Sequence, residues 1–217
     1  MLLFDVSAST STEQRSRYAE YGKSLWDHVA KESSTVEKPA ALQAALITGS
    51  GLAEEQILFD EDAPKYSFFS TDGRDRIRAR TQAAEKKVKA GLEKLLTSMR
   101  SNTAVLDGLD LADRFFSAHP GASKTLYIFS DMLEQSDRLN MGDSRLRLGK
   151  AEIASFIDKE RSNQLLPNLR GVRIIVCGAR AQDAAKYRMA RAFWLEYAKA
   201  AGAQLEAKDY GVLFRLP

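Results

Sequence analysis

Apolar residues recur along this chain in two rhythms. Short unbroken runs read as buried strands, and longer stretches with apolar positions every three or four residues read as amphipathic helices. The first run, Met1-Leu2-Leu3-Phe4-Asp5-Val6, is interrupted only by Asp5. The polar stretch Ser7 to Thr12 then leads into a helix of about five turns, with Tyr18, Tyr21, Leu25 and Val29 on one stripe. A polar break spans Ser33 to Pro39, and Leu42 to Ile47 reads as a second strand ending at Gly49-Ser50-Gly51. Ile57-Leu58-Phe59 reads as a short third strand, from which Asp60 to Pro64 turns away.

From Arg74 to Met99 the pattern is helical, with Ile77, Ala84, Val88, Leu92, Leu95 and Met99 facing inward. After a break at Ser101-Asn102-Thr103, Val105, Leu106, Leu109, Ala112, Phe115 and Phe116 mark a further helix, which His119-Pro120-Gly121 ends. Thr125 to Phe129 is an apolar strand that stops at Ser130-Asp131. A polar stretch, a helix from Lys150 to Arg161, the strand Val172 to Cys177 and a helix from Ala181 to Ala201 follow, the last carrying Tyr187, Phe193, Trp194 and Tyr197. Val212-Leu213-Phe214 reads as a final strand. Strands alternating with helices predict an α/β fold of three α/β/α layers, doubly wound around a mostly parallel central sheet, over one domain spanning 1–217. Ligands of such sheets gather outside the C-terminal strand ends, so those ends hold the candidate chemistry.

Composition narrows the class without naming a function. The 217 residues are 44% hydrophobic and 28% charged, as in an ordinary globular domain. A single cysteine excludes an internal disulfide framework, and a formal charge of +3 is too small to imply nucleic acid or a membrane surface. No apolar run is long enough to span a bilayer, and no signal pattern opens the chain. The expected compartment is the cytoplasm. The alternative is a periplasmic or membrane-anchored protein from which an upstream segment has been removed.

Two strands end in carboxylates and hydroxyls: Asp5, Ser7 and Ser9 after the first, Ser130 and Asp131 after the later one. If those strands are neighbours, Asp5 and Asp131 converge, and without a cation one of them would have to stay protonated. A hard divalent ion removes that conflict. Oxygen-only ligation points to Mg2+, with Mn2+ or Ca2+ as alternatives, and away from zinc or copper. The bland reading of the same residues is a strand-to-helix turn in which Ser9 or Thr12 caps the helix.

Asp5-Val6-Ser7-Ala8-Ser9 resembles the Asp-x-Ser-x-Ser signature of the von Willebrand factor A domain, which follows that family's first strand at its metal-ion-dependent adhesion site. The resemblance runs from Leu2 to about Leu216. It implies two further ligands: Thr103, in Ser-Asn-Thr-Ala-Val-Leu-Asp-Gly-Leu, and Asp131, in Ile-Phe-Ser-Asp. A helix N-cap at Thr103 would look the same. The implied function is metal-dependent protein binding, in which a partner's Glu or Asp completes the coordination of the ion. The family usually has residues ahead of its first strand, which implies a trimmed or processed chain here.

Two alternatives remain, a magnesium-dependent phosphohydrolase and a purely structural subunit. Against the first, the haloacid dehalogenase pattern carries a second Asp where this chain has Ser7, and serine cannot serve there as acid or base. His28 and His119 read as surface or cap residues and Cys177 as a buried strand thiol, so no enzyme is expected. The basic residues from Arg74 to Lys94 lack interleaved aromatics and read as a solvated helix face, so no nucleic-acid partner is expected. The stretch 132–149 leaves directly from Asp131 and is long for a connection, which makes it the candidate partner-recognition surface.

Overall fold

Each apolar run takes the extended form because both of its faces can be buried, and neighbouring side chains along it point to opposite layers. The computed structural model describes residues 1–35, 40–48, 56–63, 74–181 and 183–211. They form β1 (Leu2–Asp5), α1 (Thr12–Thr35), β2 (Ala40–Ile47), β3 (Ile57–Ala63), α2 (Arg74–Thr97), α3 (Val105–Ser117), β4 (Lys124–Phe129), α4 (Lys150–Ser162), β5 (Val172–Cys177), α5 (Ala184–Ala200) and β6 (Tyr210–Gly211). The sheet order is β3-β2-β1-β4-β5-β6, parallel throughout except for the antiparallel edge strand β3.

Two apolar layers follow from the alternation. Leu3, Leu126, Ile128, Ile174 and Val176 point to the side covered by α3, α4 and α5. Leu2, Phe4, Tyr127, Phe129, Ile175 and Cys177 point to the side covered by α1 and α2. All six predicted inward residues of α3 are buried, as are Phe193, Trp194 and Tyr197 of α5. Trp194 donates its indole N–H to the Met132 carbonyl at 2.8 Å, satisfying its polar atom inside the core.

Several expectations need correction. β3 does not turn away at Asp60 but runs on to Ala63. An edge strand tolerates charge, and here Gln43 donates to Asp60 at 3.0 Å while Lys87 pairs with Glu61 at 2.7 Å. α1 continues to Thr35, into the expected break. α2 stops at Thr97, so Met99 lies past its end and is 63% exposed rather than inward. The Gly49–Gly51 strand end, Pro64 and the Val212–Phe214 strand fall outside the described residues, as does the side chain of Ile77.

Candidate functional site

The chain reverses its direction of winding between β1 and β4, which are adjacent and parallel. In a doubly wound sheet that reversal opens a crevice at the carboxyl strand ends. Asp5 is the last residue of β1, and Ser130 and Asp131 directly follow β4, so the topology brings the two carboxylates together.

Asp5 is fully buried and is the hub of the cluster. One of its oxygens accepts from the Ser7 N–H at 2.8 Å, and the other accepts from the Ser130 hydroxyl at 2.8 Å. The Thr103 hydroxyl lies 3.4 and 3.5 Å from the two oxygens. The Ser7 and Ser9 hydroxyls are bonded to each other at 2.9 Å. Asp131 is nearly buried, and one of its oxygens accepts from the Leu133 N–H at 3.0 Å. Burial first, and then the charge of Asp131, push the Asp5 carboxyl up, against hydrogen bonds from Ser7 and Ser130.

α1 is capped by a reciprocal box in which the Ser11 hydroxyl accepts from the Gln14 N–H at 3.2 Å and Gln14 accepts from the Ser11 N–H at 3.0 Å. Neither Ser9 nor Thr12 does that work, so the Ser7 and Ser9 hydroxyls remain with the site. α3 has Ala104 at its cap position with no side-chain bond, and the Leu106 N–H is taken instead by the Glu134 carboxylate at 3.1 Å. Thr103 is thereby free to aim at Asp5.

These residues fit a hard divalent ion. Neither Asp5 nor Asp131 is ion-paired with a side chain among the described residues, although both are buried, and the surrounding donors are hydroxyl oxygens. Beside them the Tyr18 hydroxyl is buried without a hydrogen-bond partner, and the nearby Asp5 and Asp131 charges add to burial in raising its pKa. A hydrated cation would supply both the missing positive charge and, through a coordinated water, a donor to that phenol oxygen. No group of three or more His, Cys, Asp or Glu side chains gathers among the described residues.

Ser130, named with Asp131 at the strand end, belongs to this neighbourhood, and so do Tyr18 and Arg180, which the sequence reading does not reach. Ser130 was legible from its place beside Asp131. Tyr18 and Arg180 come from α1 and from the segment after β5, and only the packing brings them in. Gly178 shows how tightly: its φ is +99°, and a Cβ there would lie 2.5 Å from the Tyr18 hydroxyl. His28 faces Glu32 on α1, His119 donates its Nδ1–H to the Phe115 carbonyl at 2.8 Å, and burial pushes the Cys177 thiol up to about 12.

The stretch 132–149 is largely anchored. Met132, Leu139 and Met141 are buried, and Gln135 N–H donates to the Thr103 carbonyl at 2.7 Å. Arg138 reaches Asp110 at 2.8 Å and also pairs with Glu160. What remains open to solvent includes Asp137, Asn140, Ser144, Arg145 and Arg147.

The strand order, the single antiparallel edge and the two helical layers define a doubly wound, Rossmann-like α/β domain of three layers. No family model matches the chain, and no curated protein matches it. Among solved structures it is similar to an aerotolerance-related membrane protein from Bacteroides fragilis bearing multiple mutations to serines, at 15% identity and a TM-score of 0.42, over 96% of this chain and 92% of that one. It is also similar to a von Willebrand factor type A protein from Catenulispora acidiphila, at 15% identity and a TM-score of 0.43, over 93% of this chain and 42% of that one. Both likenesses are too distant to bear on function. None of the described helices is long and apolar enough to cross a membrane.

Proposed function

We propose that this domain is a metal-dependent protein-interaction module. Asp5, Ser7, Ser9, Thr103 and Asp131 would hold Mg2+, and the ion would supply Lewis acidity toward one carboxylate of a partner. The observation that carries this reading is the pairing of two buried carboxylates at the strand reversal, with hydroxyls around them and, among the described residues, no cationic side chain paired with either. Two carboxylates balance the ion, and neutral hydroxyls leave it attractive to an outside Asp or Glu.

A non-enzymatic role is part of the proposal. Ser7 occupies the position two residues after Asp5 where a phosphatase would need an acid-base group, and both histidines are engaged with their own helices. Magnesium-dependent turnover of a phosphate ester by the purified domain, abolished in Asp5→Asn, would replace this reading with the phosphohydrolase.

Calorimetric titration with Mg2+ is the direct test, paired with capture of partners in magnesium and in chelator. The expected result is saturable binding of one ion, lost in Asp131→Ala, and partner capture that disappears in both the chelator and the variant. Capture that persists unchanged in either would overturn the proposal.

A further inference from the structure

Two exposed arginines stand at the mouth of the site, each tied by its backbone to one of the proposed ligands. Arg100 lies between α2 and α3; its N–H donates to the Val6 carbonyl at 3.0 Å, and it forms a parallel bridge with Ser7. Arg180 follows β5; its N–H donates to the Asp131 carbonyl at 3.3 Å, and its guanidinium donates to the Ser9 carbonyl at 3.1 Å and to Gln14. The pair therefore approaches from two different segments, one beside Ser7 and one beside Asp131.

Neither guanidinium meets a carboxylate among the described residues. Arg100 reaches only the Met99 carbonyl, at 3.4 Å, and Arg180 only the neutral groups just named. Arg17, Arg138, Arg145, Arg161 and Arg173 each pair with an Asp or Glu, while Arg15, Arg147 and Arg191 also bond only neutral groups among the described residues. What sets Arg100 and Arg180 apart is their place beside the proposed ligands. A divalent ion neutralises Asp5 and Asp131, so the two arginines leave the mouth positive, and one partner carboxylate cannot balance it. Guanidinium groups favour carboxylates through paired, charge-assisted hydrogen bonds.

We propose that the partner docks an acidic segment here, one carboxylate on the metal and at least one further Asp or Glu against Arg100 or Arg180. The inference rests on the metal-binding reading and sharpens it from any protein carboxylate to a cluster of them. Exposed Met99, beside Arg100, offers the same segment an apolar contact.

Fluorescence anisotropy with two labelled peptides in magnesium at low ionic strength tests it. One peptide carries a lone Asp in a Gly-Ser frame, and the other carries Glu-Asp-Glu in the same frame. The acidic peptide should bind roughly tenfold tighter, Arg100→Gln and Arg180→Gln should each weaken it roughly threefold, and the double variant should lose the preference. Mg2+ binding by calorimetry should be unchanged in these variants. Equal affinity for the two peptides, binding of neither, or a preference that survives in the double variant overturns the rim's role. Tighter binding of a phosphoserine peptide also overturns it, by assigning the arginines to phosphate. If the native domain binds no Mg2+ yet keeps an arginine-dependent preference, the metal reading fails and the rim stands.

Discussion

At the scale of single residues, the site depends on side chains that are denied their ordinary partners. Among the described residues Asp5 is a carboxylate paired with no cationic side chain and Tyr18 a hydroxyl with no hydrogen-bond partner, and Gly178 is a missing side chain that leaves Tyr18 its place. Gly178→Ala should destabilise the fold by about 2 kcal/mol, because it adds both left-handed strain and a clash with the Tyr18 hydroxyl beneath the proposed metal site. Urea unfolding of this variant and of Gly178→Ala/Tyr18→Phe separates the two causes. Removing the phenol oxygen should restore part of the loss, and no recovery at all would show that the contact with Tyr18 is unimportant.

At the scale of elements, Glu134 and Arg138 fasten the segment after β4 to the helices around it. Glu134 is fully buried and holds the N-terminus of α3, and burial pushes its carboxyl up to about 8 despite hydrogen bonds from Ser136, Leu106 and Val105. The folded state therefore holds the proton more tightly than the unfolded chain. That contribution is complete below the ordinary value of 4.5 and is lost as pH rises through about 8. Glu134→Gln keeps an acceptor for the Leu106 N–H but cannot ionise, so its stability should fall less than that of the native protein between pH 5 and pH 9. Urea midpoints at the two pH values check this. Arg138 matters for charge: Glu160 is 3% exposed, and Asp110, raised to about 6 by burial, lies beside it. Arg138→Ala should cost about 3 kcal/mol by stranding those carboxylates, and adding Glu160→Met should recover part of it. Thermal or urea denaturation of the two variants reads the difference.

At the scale of the whole molecule, the proposed ligands are drawn from three stretches far apart in the chain, 5–9, 103 and 131, so a bound ion would cross-link the centre of the sheet. Binding to the native state alone stabilises by about 2.7 kcal/mol at a hundredfold excess over Kd. Unfolding monitored in saturating Mg2+ and in chelator should show that rise, and Asp131→Ala should show none. Much of this architecture was legible beforehand. The period-two and period-3.6 patterns respond to burial, which acts locally, so Val172–Cys177, the inward face of α3 and the Asp5-x-Ser7-x-Ser9 spacing could be read from order alone. The edge strand β3 could not, because Asp60, Glu61 and Asp62 look like a turn until Gln43 and Lys87 are set beside two of them. The same holds for who caps what: Ser9 and Thr103 become available to the site only because Ser11 with Gln14, and Glu134, satisfy the helix ends. The sequence by itself determined the alternation of strands and helices and the residue types at the strand ends. Tertiary structure decided which ends meet, which hydroxyls stay with the site and which arginines stand beside it without a carboxylate partner among the described residues, because these depend on pairings across more than a hundred residues that no local pattern encodes.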